Sequence, residues 1–158
     1  MSAIVQILGL AFIGLAGVIH IGIFLLESVL WRPRKTWRQF GVANEADAEI
    51  ARPWALNQGY YNLFLAVGAI AGAIGGICGV TTATGWTRYT PLSDASFAWI
   101  PSSGAWGAVG AFSALCMVGA AVVLIVSSRG ALLRGALIQG LAPLVGLALL
   151  GAGLLAPA

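Results

Sequence analysis

Four apolar stretches, Ala3 to Leu30, Trp54 to Val80, Ala105 to Ser127 and Ala131 to Ala156, dominate this chain. Each reaches or exceeds the roughly 20 residues that carry an α-helix across a bilayer. Lipid offers no hydrogen bonds to an exposed backbone, so such stretches resolve as helices rather than open strands. The chain therefore reads as an all-α, polytopic membrane protein: one membrane domain over residues 1–158, built as a four-transmembrane-helix bundle. Composition agrees, because only 8% of the residues are charged and a soluble domain carries about 25%. The first stretch has no basic leader and outruns a signal-peptide core of about 7–15 residues. It is expected to stay as a helix.

Charge orients the bundle. Arg32, Arg34, Lys35, Arg38 and Arg52 lie between the first and second stretches, and Arg129 lies between the third and fourth with Arg134 just beyond. In a four-helix serpentine these two connections share one side, with Arg88 opposite. The positive-inside rule puts that basic side in the cytoplasm and both termini outside. Residues 31–53 become a cytoplasmic connection and 81–104 an extracytoplasmic loop. The net charge of +3 is thus a topology signal, and the expected partner is the lipid bilayer, not nucleic acid.

The connections have detail of their own. In NEADAEI, Asn44 is placed to cap a short helix, with Asp47 three residues on as in a capping box. Pro53 suits the first turn of the second spanning helix. Trp31, Trp37 and Trp54 fit an interfacial aromatic belt. The 81–104 loop is long for a bundle connection, and its runs WTRYT and SFAWI flank a turn-like PLSDA. It reads either as a cap on the headgroups or as a partner surface.

Small residues recur at packing distances. Gly68, Gly72, Gly76 and Gly79 mark one face of the second helix, and Gly104, Gly107 and Gly110 begin the third. Such faces let helices approach closely in lipid, within the monomer or in a homo-oligomer. Cys78 and Cys116 lie at different membrane depths and predict no disulfide.

Against this background the polar residues stand out. His20 and Glu27 are two helical turns apart on one face of the first helix. Asn57, Gln58, Tyr61 and Asn62 open the second helix, and Gln139 sits inside the fourth. Ionisable and polar groups at membrane depth face a bundle interior or a water-filled cavity. Counted inward from the cytoplasmic edge, Glu27 and Asn57 fall in one layer, and His20, Asn62 and Gln139 in a deeper one. These seven residues are the candidate ligand- or proton-binding site. Their plainer role is interhelical hydrogen bonding, at about 0.6 kcal/mol each, and for Glu27 pairing with Arg32 or Arg34.

Several chemistries find no support. A zinc site needs three or four ligands, and one His with one Glu supplies two; no metal is expected. A haem with two histidine ligands would need a second chain. No phosphate-binding glycine loop, serine elbow or Cys–His pair is present. No cofactor and no catalytic residue is assigned. Acid–base work by Glu27 and His20 is the one catalytic chemistry left open.

The polar segments resemble a known family. HIGIFLLESVLW reads as H-x6-E-x3-W, and ALNQGYYNLFLAVG follows the basic connection. Together they are similar to the bacterial four-helix integral-membrane family called domain of unknown function thirteen-oh-four. The matching positions are His20, Glu27, Trp31, Asn57, Gln58, Gly59, Tyr61, Asn62, Phe64, Leu65, Ala66, Gly68 and Gln139, with Pro143 displaced by one residue. The long 81–104 loop departs from the family's short turn. The resemblance implies a four-helix fold, a bacterial inner (plasma) membrane location and a shared site, but no established activity.

Three functions stay open. The first is binding or transport of a small or lipid-like ligand through a polar pocket in the cytoplasmic half, the expected work of an oligomer in which Glu27 alternates its charge as access switches. The second is an accessory or assembly subunit of a larger membrane complex, docked through the 81–104 loop. The third, ranked last, is a membrane enzyme acting on a lipid or quinone.

Overall fold

The computed structural model describes residues 2–83 and 103–155. Its α-helices are α1 (Ser2–Phe24), α2 (Arg34–Gln39), α3 (Glu45–Ala83), α4 (Ser103–Ser127) and α5 (Leu133–Leu155), with a π turn over Leu25–Val29 prolonging α1. No strand occurs among the described residues. Four helical segments, Ala3–Val29, Glu45–Thr81, Gly104–Ser127 and Leu133–Leu155, are long and apolar enough to cross a membrane. The all-α, four-span architecture read from the sequence is the architecture found. Most of the 81–104 loop, with the cap or partner surface expected there, lies outside the described residues.

The second spanning helix begins earlier than its apolar stretch. The short helix capped at Asn44 and the span expected from Trp54 are one helix of 39 residues with Pro53 inside it. At about 1.5 Å per residue it is roughly 58 Å long, far more than the ~30 Å of hydrocarbon, so its first turns project beyond the span. Proline removes one backbone hydrogen bond, and tertiary contacts outweigh that loss here. Trp31 Nε1 donates to Ala48 O at 2.9 Å, and Trp31, Trp37, Ala48 and Ala55 form a buried cluster with Phe40, Val42 and Ala51 against it. The expected cap is present: Asp47 N donates to Asn44 Oδ1 at 2.9 Å, and Glu45 and Asp47 complement the helix dipole.

The four long helices form a ring in the order α1, α3, α4, α5, each packing on its neighbours. Leu10, Ile13, Ala16, Ala69, Ala114, Met117, Ala142 and Leu150 fill its centre. Glycine sets the closest approaches. A Cβ on Gly72 would collide with the Gly110 backbone, and one on Gly9 would lie 2.5 Å from Leu150 N. The glycine face of α3 therefore packs inside the monomer: Gly68 meets Ser113, Gly72 meets Gly110 and Gly76 meets Leu10.

Candidate ligand site at the basic end

The last turn of α1 is wound wider than an α-helix. Leu30 N donates to Leu25 O at 2.7 Å across five residues, which makes Leu25–Val29 a π turn centred on Glu27. Such turns insert one extra residue and redirect the side chains they carry. Glu27 is turned inward and is 8% exposed. Asn62 of α3, 7% exposed, donates from Nδ2 to Glu27 Oε2 at 2.7 Å and to Gln58 O at 3.2 Å. Both amide hydrogens are used. The approach depends on Gly59, where an added Cβ would strike Ser28 Oγ and lie 3.2 Å from Glu27 Cβ. Ser28 Oγ in turn donates to Leu56 O at 3.2 Å.

Glu27 is also a wall of a cleft of about 390 Å³, together with Ser28, Trp31, Glu49, Arg52, Pro53 and Leu56. The projecting turns of α3 create this cleft by standing over the end of α1. Neither Arg32 nor Arg34 pairs with Glu27; the ion pair among the described residues joins Arg52 to Glu49 at 3.7 Å, both largely exposed. Glu27 thus has no cationic partner among the described residues. Its second oxygen, Oε1, makes no hydrogen bond there either, yet is not sealed from solvent.

His20 belongs to a different environment. It is fully buried, with Nδ1 2.9 Å from Ala16 O. A carbonyl can only accept, so Nδ1 carries the proton and donates. Nε2 is then a buried acceptor without a partner among the described residues. The register in which Gly9 meets Leu150 and Ile13 meets Gly146 places Gln139 of α5 level with His20. Gln139 is half-buried and makes no hydrogen bond among the described residues.

The seven sequence candidates are therefore not one cluster. Glu27 and Asn62 are brought together, and His20 and Gln139 lie deeper. Asn57, Gln58 and Tyr61 are exposed on the outside of α3. Depth counting pairs Asn62 with His20, whereas the helix register set by Gly59 on Ser28 and Gly17 on Ala66 and Ile70 brings Asn62 to Glu27. Gly59, Ser28, Glu49 and Arg52 surround Glu27 or line its cleft, and the polar pattern alone passes over them. Continuity of the helix through Pro53, which brings Glu49 and Arg52 to the cleft, is the signal that was hidden.

At the opposite end a second cleft of about 310 Å³ is lined by Gln6, Leu10, Gly76, Val80, Gly104 and Gly107 among others. A Cβ on Gly104 or Gly107 would meet nothing within 4 Å among the described residues. The packed layer of Leu10, Ile13, Met117 and His20 lies between the two ends.

Fold and site together define a small multi-pass membrane protein of four helices with a carboxylate–amide pair inside the bundle. The family model described as "Protein of unknown function (DUF1304)" matches residues 14–89, the stretch holding His20, Glu27, Trp31, Gly59 and Asn62. This is the uncharacterised family that the HIGIFLLESVLW and NQGYYN segments resemble. No curated protein and no solved structure gives a significant match.

Proposed function

We propose that this protein binds a small ligand in the Glu27 cleft and moves it across the bacterial inner membrane. The observation that supports this most is Glu27 itself. A carboxyl group at membrane depth is costly and persists where it is used, and this one lines a cleft with an oxygen that none of the described residues engages. The basic end faces the cytoplasm by its arginine and lysine content, with both termini outside. Ligand enters from the cytoplasmic cleft, and the cleft at Gly76, Gly104 and Gly107 is the second opening that alternating access requires. Asn62 orients the carboxyl, and Trp31 fixes the overhanging turns of α3.

The experiment is site-directed labelling. Leu56→Cys, in a background with Cys78 and Cys116 replaced by alanine, is treated with a membrane-impermeant maleimide in membrane vesicles of each orientation. Labelling from the cytoplasmic face alone is expected. Labelling only from the other face, or from neither, would remove the cytoplasmic cleft from the mechanism.

A further inference from the structure

The ligand's charge can be read from what the cleft lacks. This inference rests on the Glu27 cleft being a ligand site. Glu27 is 8% exposed, and its stabilising contact from the chain is one neutral amide donor, Asn62, at 2.7 Å. A carboxyl group withdrawn from water stays ionised only beside a compensating charge or a full set of donors, and otherwise keeps its proton until such a charge arrives. The described residues supply neither: Arg32 and Arg34 face a separate cleft with Trp37 and Asn44, and Arg52 is engaged by Glu49 at 3.7 Å. Seven of the eight basic residues belong to this end of the bundle, yet none of those seven is spent on the buried acid. The cleft's ionisable lining is Glu27, Glu49 and Arg52, and Pro53, Leu56 and Trp31 give it apolar walls.

We infer that the Glu27 cleft selects a small organic cation, an ammonium on a compact apolar body, which supplies the counter-charge that the protein withholds from Glu27. The ammonium donates to Glu27 Oε1, the oxygen that Asn62 leaves unused. The apolar body lies against Pro53, Leu56 and the Trp31 ring. A volume of about 390 Å³ is at the lower end of small-molecule sites, which suits a body of one ring or a short branched chain. Arg52 sets a limit on affinity, since its guanidinium lines the same cleft and repels a cation that Glu49 only partly screens.

Calorimetric titration of the full chain in detergent, with empty micelles subtracted, tests this with three probes of one shape: phenethylammonium, 2-phenylethanol and 3-phenylpropanoate. The cation is expected to bind more tightly than the other two. Glu27→Gln, which keeps an acceptor for Asn62, is expected to weaken it at least tenfold. Arg52→Gln alters an exposed residue and is expected to strengthen it several-fold, so the inference stays testable even if Glu27→Gln folds poorly. Tighter Glu27-dependent binding of the alcohol or the carboxylate, or weaker cation binding in Arg52→Gln, would overturn the ligand class and leave the site standing. Binding of no probe, or cation binding indifferent to Glu27→Gln, would overturn both the class and the site.

Discussion

Asn62 donates to Glu27 at 2.7 Å across 35 residues of chain, joining the π turn of α1 to α3 inside the bundle. The two side chains are nearly sealed from solvent, so each depends on the other. Asn62→Leu leaves a buried carboxyl without its donor and is expected to cost about 1–3 kcal/mol. The double variant Glu27→Met, Asn62→Leu is expected to recover part of that loss. Reversible unfolding of all four proteins in mixed micelles measures the coupling, and strictly additive losses would show that the pair does not act as a unit.

Backbone approach at glycine should separate into costly and harmless sites. An alanine at Gly72 drives its Cβ into the Gly110 backbone, while one at Gly119 meets nothing within 4 Å. Gly72→Ala is expected to destabilise by about 1–3 kcal/mol through overpacking. Gly119→Ala is expected to be neutral or to stabilise by up to about 1 kcal/mol, because alanine loses less backbone entropy in a helix. Melting temperatures in one detergent compare the two.

His20 spends one ring nitrogen on Ala16 O and buries the other without a partner among the described residues. Replacing it by leucine loses one local hydrogen bond and also removes an unsatisfied acceptor, so the terms oppose each other. His20→Leu is expected to change stability by less than about 1 kcal/mol and to leave binding at the Glu27 cleft intact. A large loss of binding in a well-folded His20→Leu protein would show that the deeper layer belongs to the site.

Trp31 holds the overhanging turns of α3 through a 2.9 Å bond from Nε1 to Ala48 O. Trp31→Phe keeps most of the ring packing against Phe40 and deletes that donor, at an expected cost of about 1 kcal/mol. Hydrogen exchange is expected to accelerate over residues 45–52 while the spanning part of α3 is unchanged. Uniform acceleration throughout α3 would mean that the overhang is not a separate unit.

Much of the fold was legible because lipid leaves the backbone few options. Each apolar stretch had to be a helix, and the glycines of α3 had to face close neighbours. The start of α3 was not legible in the same way. Pro53 and the polar NEADAEI segment signal a break locally, while the contacts that keep the helix whole, the Trp31 bond to Ala48 and the buried cluster that Trp31 and Trp37 form with Ala48 and Ala55, come from elsewhere in the chain. The candidate site's residue types stand in the sequence, but their grouping does not. Depth counting set Asn57 level with Glu27 and Asn62 level with His20, but only the register shows that Gly59 and Asn62 meet α1 while Asn57, Gln58 and Tyr61 face outward. The π turn that aims Glu27 leaves no mark in the hydrophobic pattern, because one extra residue in a turn changes no composition.

The most direct measurement is a native mass spectrum of the wild-type protein released from mild detergent, recorded beside Glu27→Gln with matched melting temperature. A small-molecule adduct on the wild type that the variant lacks is the expected result, and it would identify the ligand by mass. The same adduct on both proteins, or bare protein in both, would contradict a ligand site at Glu27 and leave the Glu27–Asn62 pair as a bond that holds two helices together.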